Sequence, residues 1–174
     1  FYHLAPSNLS LSQLVLELNR QLRETLPSGR FVGISLVCLD IEHGRGEIWI
    51  GGMPCAFLTD DHGNVLNRFE SQDVALGIIE SHEISASPVD FSWTQACELL
   101  LCSDGLLEAN SESGSQFGES GLLKAIIGKP PGGRRQSVES EVIKHLGSQA
   151  ALDDISLLIL SCPTHDANKQ KSQA

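Results

Sequence analysis

LLLCSDGLLEA, residues Leu99 to Ala109, is an apolar run that breaks off at an acidic turn. Its counterpart, LDDISLLIL from Leu152 to Leu160, has the reverse order, with acidic residues first and the apolar run after. Short apolar runs bounded by turn residues read as strands, here Glu98–Ser103 and a buried one at Ile155–Leu160. Asp104 therefore sits directly after one strand, and Asp153 and Asp154 directly before another. A carboxylate at the mouth of a strand is held by a rigid ladder and still reaches solvent, which is the placement a metal ligand needs. Hard carboxylate oxygens without a thiolate or imidazole cluster favour Mg²⁺ or Mn²⁺ over Zn²⁺. Each feature also has an ordinary explanation: Asp-Gly is a common turn dipeptide, and Asp-Asp is commonly a solvated helix cap.

Upstream, Leu11, Leu14, Val15, Leu18 and Leu22 recur at helical spacing, Ser10 and Gln13 form a capping box, and Pro27 with Gly29 ends the run. Phe31–Ile41 is rich in β-formers, Glu42–Gly46 can turn, and Glu47–Ile50 resumes a strand pattern, which predicts a hairpin. Ala56–Thr59, a polar turn over Asp60–Asn64, and Val65–Phe69 predict a second hairpin. A further strand is expected at Glu83–Phe91. Beyond the Asp104 turn, Ser111–Gly118 reads as a polar loop and Leu122–Ile127 as a helix ending at Gly128. The loop Lys129–Gly133 separates it from another helix, whose apolar stripe is Val138, Val142, Ile143 and Leu146. Thr164–Ala174 has few apolar residues and is expected to be disordered. Strands joined mainly by hairpins, with helices early and late, point to an α+β fold of antiparallel sheets covered by helices.

Composition limits the function. At 174 residues and 41% hydrophobic content the chain can bury one core. A formal net charge of −10 argues against nucleic acid or an anionic membrane as partner, because both require a positive field. An acidic protein can, however, recruit divalent cations. The five cysteines are odd in number, scattered and mostly within apolar runs, so they read as reduced core thiols of a cytoplasmic protein. No run is long enough to span a membrane and no signal peptide is visible. The opening at Phe1, without a methionine, reads as a piece of something larger.

The order strand, SDGLLEA, polar loop, QFG, helix, helix, DDIS, strand resembles the C-terminal part of bacterial PPM-type serine/threonine phosphatases of the SpoIIE/RsbU branch. LELNRQL around Asn19 resembles that branch's LN-containing helix. IGGMPCAFL, Ile50–Leu58, resembles its Gly-x-Pro loop, and ALGI, Ala75–Ile78, its Leu-Gly turn. The resemblance implies two stacked antiparallel β-sheets flanked by helices, with two Mn²⁺ or Mg²⁺ ions at one end. Residues 1–162 would be the C-terminal two-thirds of one such domain, and 163–174 a disordered tail. It carries over Asp104 and Asp153 as metal ligands, Asp154 as a neighbour, and a metal-activated water in place of a catalytic side chain. It further implies hydrolysis of phosphoserine or phosphothreonine on a partner protein, in this branch commonly an anti-sigma-factor antagonist. An upstream receiver or sensor domain would control a cytoplasmic output domain of a response regulator.

Two departures stand beside it. The family's remaining metal ligands lie upstream of the helix that begins near Ser10, and where many relatives carry Asn-Ala-Gly-His-Pro this chain has Ile50-Gly51-Gly52-Met53-Pro54. Loss of the early strands would also expose sheet edges and invite association, including a homodimer. A catalytically inactive adaptor that binds a sigma factor or its regulator is therefore the alternative reading. Among other candidates, Cys102 and Ser103 read as core and loop residues. The six histidines read as solvated or helix-terminal, Trp49 and Trp93 as core, and the Arg134-Arg135 pair as part of a solvated loop.

Overall fold

A computed structural model of the chain describes residues 9–165. The elements in order are helix α1 (Leu11–Thr25), strands β1 (Ile34–Asp40), β2 (Arg45–Gly51), β3 (Ala56–Thr59), β4 (Val65–Phe69), β5 (Val89–Ser92) and β6 (Cys97–Cys102), helices α2 (Asp104–Leu107), α3 (Gly118–Ile126) and α4 (Arg134–Leu146), and strand β7 (Leu157–Cys162). Contacts divide the chain into two compact units. Among the described residues, one comprises those up to Cys55 with Phe69–Ser92, the other Ala56–Arg68 with those from Trp93 on. Each holds a sheet, in the orders β1-β2-β5 and β4-β3-β6-β7. The expected pair of antiparallel sheets with flanking helices is thus present.

In the first unit, Ser10 caps α1: its hydroxyl accepts from the Gln13 N–H while the Gln13 side chain accepts from the Ser10 N–H. Leu11, Val15 and Leu18 from the helix join Leu36, Trp49, Leu76 and Ile84 in one buried cluster. Burying side chains of this kind contributes about 1.5–3 kcal/mol each. The two segments that resemble the family's LN helix and Leu-Gly turn meet here. Buried Asn19 accepts from the Gly77 N–H at 2.8 Å and donates to the Ile79 carbonyl at 3.0 Å and the Ser81 hydroxyl at 3.1 Å. The first hairpin forms in the register Asp40↔Arg45 to Ile34↔Gly51. Its altered loop turns at Gly52, where φ is +63° and an added Cβ would come within 2.6 Å of the Ala75 Cβ.

The strand expected at Glu83–Phe91 shortens to Val89–Ser92. Pro88 has no N–H for a ladder, and the Ser85 backbone is already engaged, donating to the Asp73 carboxylate and accepting from the Trp49 indole. Trp49 is fully buried, as expected of a core residue.

In the second unit β6 is central, with Phe57↔Leu100 and Leu58↔Leu99 on its β3 side and Cys97↔Cys162 through Cys102↔Leu157 on its β7 side. β7 begins two residues later than Ile155. Because it is an edge strand, Leu158 is 53% exposed and the expected buried strand is only half covered. Trp93 is core, its indole donating to the Pro163 carbonyl at 2.9 Å, and the His165 N–H donates to the Thr94 carbonyl. Ordered backbone therefore extends past residue 163, and the rest of the expected disordered tail, 166–174, lies outside the described residues.

Arg134 corrects the solvated-loop reading. It is fully buried at the start of α4, with Nη1 donating to Glu98 Oε2 at 2.7 Å and to the Thr59 hydroxyl at 3.1 Å. Its Nη2 and Nε donate to the carbonyls of Asp60 and Lys129. Arg135 is exposed, as the expectation had it.

Candidate metal centre

The antiparallel pairing of β6 with β7 brings the end of one strand beside the start of the other, so Asp104 and the Asp153–Asp154 pair emerge from the same end of the sheet. Ser103 stitches them together. Its N–H donates to the Ser156 carbonyl at 3.0 Å, its hydroxyl donates to the Asp154 carbonyl at 2.9 Å, and the Ser103 Oγ accepts from the Ser156 N–H at 2.9 Å. The chain then enters α2, a single turn closed by the Glu108 N–H donating to the Asp104 carbonyl. Gly105 is buried and makes the closest approach. A Cβ there would lie 2.5 Å from the Asp154 carbonyl oxygen and 3.3 Å from the Asp153 carbonyl carbon. Only glycine allows the two acidic segments to come this near.

Asp104, Asp153 and Asp154 are all exposed. One oxygen of Asp104 accepts from the Gly105 N–H at 2.9 Å, and one of Asp153 accepts from the Asp154 N–H at 2.7 Å. Among the described residues their other oxygens make no hydrogen bond. The Asp104 and Asp153 carboxylates thus each have one oxygen pinned by the following backbone N–H, on residues that are exposed. An all-oxygen, solvent-facing donor set on converging rigid segments fits a divalent ion of the Mg²⁺ or Mn²⁺ class. The sequence reading placed Asp104 and Asp153 at strand ends, where the structure has them; it missed Ser103, whose role as the link depends on a strand partner far away in the chain.

Two other groups stand as competitors, and the surroundings of each oppose that role. Burial, ahead of the nearby carboxylates of Glu119 and Asp104, pushes the Cys102 thiol up to about 11. Only about one molecule in ten thousand would then carry a thiolate at pH 7. None of the five cysteines is in a disulfide; four are buried as expected, and Cys38 is exposed on β1. A group of three possible ligands, Asp60, Asp61 and His62, lies on the β3–β4 turn with its ligand atoms within 4.8 Å of one another. Asp60 is occupied there by the turn itself, accepting from the Asn64 side chain and from the N–H groups of Asn64 and His62. Those bonds, the Asn64 amide first, hold its carboxyl below the usual carboxylate range. No helix among the described residues is long and apolar enough to cross a membrane.

The model of the stage II sporulation protein E (SpoIIE) family matches residues 1–163. Among curated protein sequences none matches the chain. Solved structures do. The SiaA-PP2C domain of Pseudomonas aeruginosa superposes with a TM-score of 0.74 at 15% identity, over 90% of this chain and 62% of that one. The PP2C phosphatase domain of SpoIIE from Bacillus subtilis, with a fragment of its regulatory domain, gives a TM-score of 0.75 at 16% identity, over 91% of this chain and 46% of that one. The catalytic domain of the phosphatase PstP, solved with two manganese ions, gives 0.53 at 14% identity, over 90% and 73%. The chain thus spans less than two-thirds of each of these first two structures. At these identities the superpositions establish the fold, and the family follows from the sequence match: the chain belongs to the SpoIIE family, a branch of the PP2C-type serine/threonine phosphatases.

Proposed function

We propose that this chain is the metal-binding C-terminal part of a domain that hydrolyses phosphoserine or phosphothreonine on a partner protein, in bacterial signalling. The observation that carries the reading is the contact of Gly105 with the Asp153–Asp154 backbone, which holds Asp104 and Asp153 at one end of β6 and β7. In this reading both side chains are ligands of a divalent ion, Mn²⁺ or Mg²⁺, and Asp154 is a neighbour. When bound, the ion supplies positive charge to phosphate oxygens and lowers the pKa of a water. The chain's own residues do the holding: Gly105 permits the approach, Ser103 ties the segments, and the pinned oxygens fix the direction of the free ones.

The remaining ligands would come from a segment upstream, so two carboxylates alone bind weakly. An anti-sigma-factor antagonist as substrate, a receiver or sensor domain upstream and a cytoplasmic location belong to the same proposal. Manganese titration followed by electron paramagnetic resonance tests it. Weak binding by this chain that disappears in Asp104→Ala and in Asp153→Ala, with the fold retained, supports the assignment. Equal Mn²⁺ uptake by all three forms would sink it.

A second reading has its own support. Among the described residues, Asp104, Asp153 and Asp154 do not form a group of three ligand atoms within 4.8 Å, and Met53 stands in the altered loop. A phosphatase-like adaptor that grips a sigma factor or its regulator would need no more. Mn²⁺-dependent release of phosphate from a phosphoprotein, by a longer form that includes the upstream segment, distinguishes the two.

A further inference from the structure

Half of the twelve basic side chains of this acidic chain are already spent on its own carboxylates. Arg20, Arg23, Arg45, Arg68, Arg134 and Lys144 each sit in an ion pair. Lys124 and Lys129 make none among the described residues, and both are exposed. They line the same groove, a cleft of about 640 Å³ between α3 and α4, together with Lys144. Glu141 is the acidic residue in that lining, and Lys144 neutralises it at 2.6 Å. Lys144 first, with the fields of Lys124 and Lys129 reaching as well, holds the Glu141 carboxyl below its ordinary value. The groove is therefore a positive pocket on a chain whose formal charge is −10.

Two buried apolar residues, Phe117 and Ala125, stand within its mostly polar lining. The buried Phe117 ring meets His145 edge-on, with centroids 5.4 Å apart, and Ala125 lies beside it. Gly121 makes room, since a Cβ there would stand 2.8 Å from the ring. His145 is fixed rather than free, its Nε2 lying 2.9 Å from the Ser115 carbonyl, which ties α4 to the loop preceding α3.

We propose that the α3–α4 groove is a docking site for an acidic segment of a partner protein, with carboxylates meeting Lys124 and Lys129. Charge complementarity suits this occupant, because Lys124 and Lys129 place two exposed cations on one groove for its carboxylates. Nucleic acid suits it poorly, since binding there rests on about six to ten phosphate contacts, which this groove cannot offer, and the rest of the chain repels a polyanion. The groove shares no residue with the metal centre, so the proposal stands apart from catalysis.

Fluorescence anisotropy of a short fluorescein-labelled peptide of alternating glutamate and leucine, titrated with the full chain, tests it. Binding should weaken about tenfold in Lys124→Glu/Lys129→Glu with circular dichroism unchanged. It should be unaffected in Arg30→Glu/Arg135→Glu, which changes the net charge equally. Should the reversal disturb α3, Lys124→Gln/Lys129→Gln carries the same test with a loss of about threefold. Equal weakening in the Arg30/Arg135 control, no binding to the unaltered chain, or displacement of the peptide by a single-stranded oligonucleotide at equal charge concentration overturns the proposal.

Discussion

Replacing Arg134 by methionine should unfold this chain more readily than any surface change, for a reason visible in its four hydrogen bonds. The substitution keeps much of the volume and removes the charge. Glu98, 4% exposed, then holds an uncompensated carboxylate, while Thr59 and the carbonyls of Asp60 and Lys129 lose their donor. Breaking one side of a buried pair costs about 3–5 kcal/mol, against a total stability of about 5–15 kcal/mol for a domain. With a urea dependence of about 2 kcal/mol per molar, the unfolding midpoint should fall by about 2 M. The companion change decides the cause. Arg134→Met with Glu98→Gln removes the stranded charge and should recover at least about half of the loss, because an apolar or neutral replacement of both partners is often tolerated. Glu98 stands near the start of β6 and Asp104 beyond its end, about 20 Å away at about 3.3 Å per residue, so Mn²⁺ binding by the folded variant should be unchanged. A loss under about 1 kcal/mol for Arg134→Met, or a double variant no more stable than the single one, would refute the argument.

Gly105→Ala should cost about 1–3 kcal/mol by overpacking against the Asp154 carbonyl; unlike Arg134→Met it should also abolish Mn²⁺ binding, and retention of full binding by electron paramagnetic resonance would show that the close approach does not matter. Asn19→Ala removes three bonds to the 77–81 segment and should destabilise by about 1–3 kcal/mol in urea titration, with a change under about 0.5 kcal/mol counting against a role for that network. Burial raises Cys97 to about 12 and Cys102 to about 11. For thiols whose folded values exceed their unfolded ones, the unfolded state loses its protons first, so stability is fully present below about pH 9 and declines from there towards pH 11–12. A urea midpoint that stays level from pH 8 to about 11 would contradict this. The same burial predicts that Cys38 reacts at once with a thiol reagent and the other four only on unfolding.

The strands and the first helix were legible because their signals are local. The capping box at Ser10, the period of the leucines in α1 and the Asp60–Asn64 turn each depend on residues a few positions apart. Errors arose where a local pattern met a nonlocal demand. Glu83–Phe91 has the composition of a strand at its C-terminal end only, and Pro88 with the Trp49 and Asp73 hydrogen bonds at Ser85 takes the rest out of the ladder. α2 is too short for any period to reveal. β7 reads as buried from its apolar content, yet its place at the edge of β4-β3-β6-β7 leaves Leu158 in solvent.

The same division governs the chemistry. That Asp104 and Asp153 leave the same end of the sheet was readable from their places next to apolar runs. Nothing in a window of the sequence separates Arg134 from Arg135, because adjacent residues at a helix start point in different directions, and a glycine-proline loop before them suggests solvent for both. What separates them is Glu98, an acidic residue inside the apolar string CELLLC, whose charge is tolerable in a buried strand only with a cation opposite. A charged residue within a predicted core strand is thus itself a signal, and it asks for a buried partner elsewhere in the chain. The search here is short, since Lys124, Lys129 and Arg135 all lie in the same region as Arg134. Burial in this chain follows the guanidinium, which can donate to a carboxylate, a hydroxyl and two carbonyls at once, where an ammonium offers only three donors from a single point. Arg134→Lys should therefore fail to rescue stability, recovering less than about half of what Arg134→Met loses, and full recovery in the urea midpoint would show that charge alone, not the fork, holds α4 to β3 and β6.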